Sequence, residues 1–136
     1  MSSSDGMEPL PKPECQSLLR AGGVGILALP GDRAPVLRPV NYAVQEGRIV
    51  IRTGQGQIFE AARRAEPASF VISEIDRFEH EGWSVVVTGR LEECSSADEL
   101  VELPLRPWAR AVKDRFVALS MDEISGRRIA QGGVEA

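Results

Sequence analysis

Arg52 and Thr53 end a run of branched apolar residues, and Gly54-Gln55-Gly56 then leads into a helix-like segment that begins at Gln57. A guanidinium, a hydroxyl and the free backbone N–H groups of a helix start, all within a few residues, make a donor set suited to an anion such as a phosphate. The plainer reading of Arg52 and Thr53 is an exposed strand end that holds nothing. Earlier in the chain, Arg38-Pro39-Val40-Asn41-Tyr42 offers an amide at Asn41, which either donates to a ligand carbonyl or caps a hairpin.

Other chemistry-bearing residues are sparse. The one histidine, His80, lies in the polar cluster Glu79-His80-Glu81 and reads as a surface loop residue, which leaves a zinc site or a His-based triad with little to work with. Cys15 and Cys94 are far apart, form no CxxC pair, and read as reduced thiols. Glu74 and Asp76 could act as a carboxylate pair, yet with no perturbing partner in view they read as solvated. No metal set emerges, and the catalytic acid or base is unknown.

The elements that must position Asn41, Arg52 and Thr53 can be read from periodicity. Val40, Tyr42 and Val44 alternate with Pro39, Asn41 and Ala43, the period of a strand with two unlike faces. Gln45-Glu46-Gly47 turns the chain, with Gly47 able to take a positive φ, and residues 48–53 return as a strand. Residues 57–65 place Ile58, Ala61, Ala62 and Ala65 on one side of a short crossing helix that Pro67 stops.

Strands are also expected at residues 24–29, 68–75, 83–92 and 115–121. The run WSVVVTGRLE is the longest branched apolar stretch, and Gly89 inside it marks a bulge or a close backbone approach. Residues 14–21 form a short amphipathic helix, and Ser96 opens another that Pro104 and Pro107 limit. Residues 76–82 read as a polar loop, and 122–129 as a closing turn and tail. Six strands with two or three short helices and one helical crossover fit a mainly β chain built as a small closed or partly closed barrel.

Composition limits the function classes. At 136 residues the chain makes one domain: a flexible tail over 1–13, a folded unit over 14–130 and a second tail over 131–136. A net charge of −4 with only two adjacent basic pairs, Arg63-Arg64 and Arg127-Arg128, argues against nucleic acid as partner. No run reaches the roughly 20 apolar residues of a membrane span, and the N-terminal residues lack secretory order, so a cytoplasmic location is expected.

The order PVNY, GRIVIRTGQG, the crossing helix and then GWSVVVTGRLEE resembles the pyridoxamine 5'-phosphate oxidase-like family, the flavin-binding split barrels. The segment PLRPWARAVKDRFVALSMDEISGRRI is similar to the ending of its short actinobacterial-type members, and the resemblance covers roughly residues 14 to 130. It implies a six-stranded Greek-key split β-barrel that forms a homodimer with FMN in the clefts between subunits. By the same resemblance Pro39, Val40 and Asn41 run along the flavin ring, Arg52 and Thr53 lie near the phosphate, and Ser84 contacts the cofactor. Gln57 completes this cofactor-binding set.

One departure stands out. Members commonly carry Lys or Arg in a pattern like TxxGSK, whereas this loop reads TGQGQI and puts Gln57 and Ile58 at those places. Loss of that charge costs on the order of 1–3 kcal/mol of phosphate binding, or ten- to a hundredfold in affinity. FMN is then held loosely, replaced by a deazaflavin coenzyme, or absent.

Three functions remain open: a flavin- or deazaflavin-dependent oxidoreductase acting on a small molecule, a non-catalytic flavin-binding module, or a dimeric scaffold without a cofactor. Pyridoxamine phosphate itself is not the expected substrate, because the resemblance stops short of the Arg- and His-rich extension of true oxidases. Trp83 and Trp108 either line the cleft or only pack.

Overall fold

The computed structural model describes residues 7–54, 56–94 and 115–129. Alternation of apolar residues produces strands β2 (Gly23–Leu29), β3 (Val36–Gln45) and β4 (Arg48–Thr53). A two-residue turn joins β3 to β4, with Glu46 at φ 53° and Gly47 at φ 72°. Two successive positive φ values match the strand twist, which is why the expected hairpin closes at this glycine. Helix α2 (Gln57–Arg63) crosses to β5 (Pro67–Asp76), which pairs antiparallel with β6 (Glu81–Glu93). β7 (Arg115–Ser120) and β8 (Glu123–Ile129) follow, and β1 (Met7–Pro9) with helix α1 (Lys12–Arg20) precede the barrel.

β6-β5-β2-β3-β4-β7 forms a ring that closes because β6 also pairs with β7, giving a closed six-stranded antiparallel barrel with two helices among the described residues. Two strands belong to both halves of the ring. β3 pairs with β2 over Val36–Tyr42 and with β4 only from Ala43 onward. β6 gives one edge to β8 over Gly82–Thr88 and, further along the same edge, to β7 over Leu91–Glu93. The barrel is therefore split in the sense that the resemblance implied. Its interior is filled by Leu27, Ile49, Ile51, Phe70, Val85 and Leu119, each at most 1% exposed.

At the seam where β7 hands over to β8, a Cβ on Gly89 would stand 1.8 Å from the Ser120 carbonyl oxygen. The close backbone approach expected of this glycine is present. Arg90 N–H donates to Ser120 Oγ at 2.9 Å and Asp122 N–H to the Thr88 carbonyl at 3.1 Å, which fixes the corner.

Three segments differ from the sequence reading. Residues 123–129 form strand β8 on β6, not a closing turn and tail. The inward position at its centre is Gly126, where a Cβ would meet Cys15 Sγ at 2.5 Å, so the strand gives up its apolar pattern to admit α1. Residues 7–9, inside the expected N-terminal tail, form β1 and pair with β8 through Met7↔Ile129 and Pro9↔Arg127. The β5–β6 pairing runs to Asp76↔Glu81, so the polar loop narrows to a turn at residues 77–80; residues 73–81 are exposed, which accounts for their polar sequence. The helix opened by Ser96 lies outside the described residues. No described helix is long and apolar enough to cross a membrane.

Candidate functional site

The last pair of the β3–β4 ladder before the strands part is Ala43↔Val50. Continued, that register would set Asn41 opposite Arg52 and Pro39 opposite Gly54. Instead β3 stays with β2 as far as Val36↔Leu29, while β4 stays with β7 as far as Thr53↔Arg115. From Val36 to Tyr42, no strand among the described residues pairs with the β4-side edge of β3. Pro39 fits this arrangement. It has no N–H for a ladder, and prolines within sheets sit where an edge is free.

Alternation decides what each residue presents to the gap. Val40 and Tyr42 point inward and are buried, and because backbone groups alternate between the two edges of a strand, Pro39 and Asn41 face the gap while Val40 faces β2. Pro39 and Asn41 take the outer face of β3, and Arg52 the outer face of β4. The Arg52 guanidinium carbon lies 5.9 Å from the centroid of the Phe116 ring, while Thr53 is 7% exposed at the end of its strand. Stacking on Phe116 holds the Arg52 cation over β7, the neighbour of β4 on the side away from β3.

The barrel rim below carries further positive charge. Arg38 donates to the Leu37 carbonyl at 3.1 Å and, across to the first residue of α2, to Gln57 Oε1. Arg115 lies 5.4 Å from the centroid of the Phe59 ring on the same helix. α2 begins after Gly56, at φ 165°, with no side-chain cap. Tyr42, by contrast, is structural. Burial pushes its hydroxyl up to about 12, and that hydroxyl donates to the Leu19 carbonyl at 2.9 Å.

Pro39 and Asn41 thus lie on the open stretch of β3 with Val40 buried between them, Arg52 and Thr53 at the end of β4 beside β7, and Gln57 at the start of α2 against Arg38. Ser84 does not join them within this chain. It occupies the outer face of β6 between Ser73 and Arg127, with β5 and β2 separating it from β3. Trp83 packs against the core from the inner side of β6 and also lines a depression with Arg128. Trp108 lies outside the described residues. Arg38 is the residue that sequence reading passed over, because in a strand it looks like any exposed cation. Its adjacency to Pro39 was the available signal.

A family model described as pyridoxamine 5'-phosphate oxidase matches residues 11–128. An uncharacterized protein of Mycobacterium tuberculosis is 31% identical over 127 residues, covering 88% of this chain and 84% of its own. The FAD binding protein from Mycobacterium smegmatis superposes with a TM-score of 0.70 at 27% identity, covering 90% of this chain and 97% of its own. An FAD-binding protein from Mesorhizobium loti does so with a TM-score of 0.72 at 26% identity, over 90% and 96% respectively.

Proposed function

The chain belongs to the pyridoxamine 5'-phosphate oxidase family, and from that membership we propose that it binds a flavin nucleotide along the open edge of β3, as a homodimer, and serves as an oxidoreductase for a small molecule. The parting of β3 from β4 after Ala43↔Val50 carries this reading. It leaves a free backbone edge at Pro39 and Asn41, with the Arg38 guanidinium at the adjoining rim and Arg52 on the strand that parts from it. A flat, polar-edged ring matches such an edge, and a phosphate matches the cations. The flavin-type ligands of the two structural neighbours support the same class.

Arg38 answers the missing charge at Gln57. The neutral amide accepts from the guanidinium and steers it to the start of α2, so the cation comes from β3 rather than from the helix. The flavin, when bound, supplies the hydride chemistry. The chain orients it through backbone groups, holds its phosphate end, and closes the cleft with a second subunit. FMN is the expected form, and FAD, named for the neighbours, is the competing one.

Fluorescence titration with FMN and FAD tests this. Wild-type protein is expected to quench flavin emission saturably, and Arg38→Ala and Arg52→Ala each to weaken binding by about ten- to a hundredfold. Bleaching of the bound flavin by a reduced nicotinamide under anaerobic conditions distinguishes an oxidoreductase from a carrier. Absence of saturable binding for either flavin overturns the proposal.

A further inference from the structure

The inward positions of β5 run Ala68, Phe70, Ile72, Glu74, Asp76, and those of β6 run Val87, Val85, Trp83, Glu81. Buried apolar residues occupy them as far as the pair Ile72↔Val85; the next inward pair is Glu74↔Trp83 and the last is Asp76↔Glu81. On its other edge Trp83 pairs with Arg128 of β8, so a carboxylate, an indole and a guanidinium stand in one cross-strand row. With Asp76 and Glu81 they line a depression of about 330 Å³, room for one small organic molecule.

The charges of this depression are unbalanced. Asp76↔Glu81 sets two carboxylates directly opposite one another, which costs stability in a sheet, and Glu74 is the next inward residue. Asp76 Oδ1 is taken up by the turn, accepting N–H bonds from Phe78 at 3.0 Å and Glu79 at 3.1 Å. Among the described residues no cation pairs with Glu74, Asp76 or Glu81. The guanidinium in the row, Arg128, is bound to Glu14 of α1. The indole lacks a cation too: the described cation–ring contacts are Arg52 on Phe116 and Arg115 on Phe59. Trp83 is half-buried and packed against the core, so its ring is held as a fixed wall. Two features that each attract positive charge, a π-face and unpaired carboxylates, therefore meet in one hollow that the described chain leaves without any.

We propose that this depression binds a small organic cation, a protonated amine or amidine, with its charge against the Glu74 and Glu81 carboxylates and its body against the Trp83 indole. The Arg128–Glu14 pair closes the β8 side of the row and cancels its own charge, so the guest lies on the β5 side. Among the described residues no three carboxylate, imidazole or thiol groups converge as a metal ion requires, so the guest reaches the carboxylates from the indole rather than being chelated by them. The site stands on β5, β6 and β8 and uses none of the β3 edge. It holds or fails independently of the flavin reading.

The test is titration of the full chain with benzamidinium chloride and, separately, with benzamide, a neutral molecule of the same shape, followed by the indole N–H resonances in nitrogen-15 NMR. The resonance missing from Trp83→Leu identifies Trp83. Benzamidinium is expected to shift it saturably with a Kd of about 1 mM or below, and benzamide to bind at least about tenfold more weakly. The double variant Glu74→Gln, Glu81→Gln keeps the size of two exposed side chains and is expected to keep its fold. It should weaken benzamidinium at least about tenfold and leave benzamide unchanged. Equal affinity for the two probes, or unchanged benzamidinium affinity in the double variant, overturns recognition of charge at these carboxylates. No saturable shift of the Trp83 resonance up to about 10 mM benzamidinium overturns the site.

Discussion

Replacing Gly89 by alanine tests whether the split barrel depends on the corner between β6, β7 and β8. The new Cβ would sit 1.8 Å from the Ser120 carbonyl oxygen and 2.7 Å from its carbonyl carbon, both backbone atoms. No rotamer relieves this contact, so Ser120 must retreat by about 1.5 Å to reach an ordinary separation. That movement breaks the bonds Arg90 N–H to Ser120 Oγ and Asp122 N–H to Thr88 O, at about 1 kcal/mol each, on top of an overpacking cost of about 1–3 kcal/mol. Gly89→Ala is expected to lose about 3–5 kcal/mol, a fall in Tm of about 10–17 °C for a chain of this length. Urea and thermal unfolding followed by circular dichroism measure it. Gly56→Ala is the control, because nothing lies within 4 Å of its Cβ and its φ of 165° is extended; it should remain within about 0.5 kcal/mol of wild type. If Gly89→Ala unfolds within about 1 kcal/mol of wild type, the seam is not the constraint described.

Three other outcomes are expected. Gln57→Glu would pair a carboxylate with Arg38 and place negative charge at the proposed phosphate end; flavin titration should show at least about tenfold weaker binding with no loss of thermal stability. Tyr42 deprotonates near pH 10.0 when unfolded and, chiefly through burial, only at about 12 when folded, so its contribution is complete below pH 10 and disappears as pH rises toward 12. Alkaline unfolding of wild type should therefore lose about 2–3 kcal/mol that Tyr42→Phe does not lose, the variant starting about 1–2 kcal/mol lower because the Leu19 carbonyl loses its donor. Cys15 is fully buried, and burial, together with the neighbouring Glu14 carboxylate, pushes its thiol up; an Ellman titration of native protein should find Cys94 reactive first and Cys15 only on unfolding.

What was legible in the sequence followed physical periodicity. β3, β4 and β6 each bury one face and expose the other, so alternation, the glycine of the β3–β4 turn and the long run from Trp83 to Glu92 were enough to place them. β8 was hidden because its interior position is a glycine vacated for Cys15 and Leu10, contacts that come from the opposite end of the chain. β1 was hidden because three residues ending in proline carry no pattern and gain their pairing only from β8. For the proposed site, Pro39, Asn41 and Arg52 were singled out through motif order. Arg38 was not, since its role depends on reaching Gln57, a contact between a strand and a helix that no local window contains.

The proline at the centre of the open β3 edge has a consequence for how the molecule survives in a crowded solution. An unpaired edge invites foreign strands to zip onto it and seed aggregates. Pro39 withholds the donor that a visiting polypeptide would need midway, so a long backbone cannot register there, while a short planar guest that asks for only a few acceptors or donors still can. One imino acid thereby keeps the opening accessible to small molecules and closed to other chains.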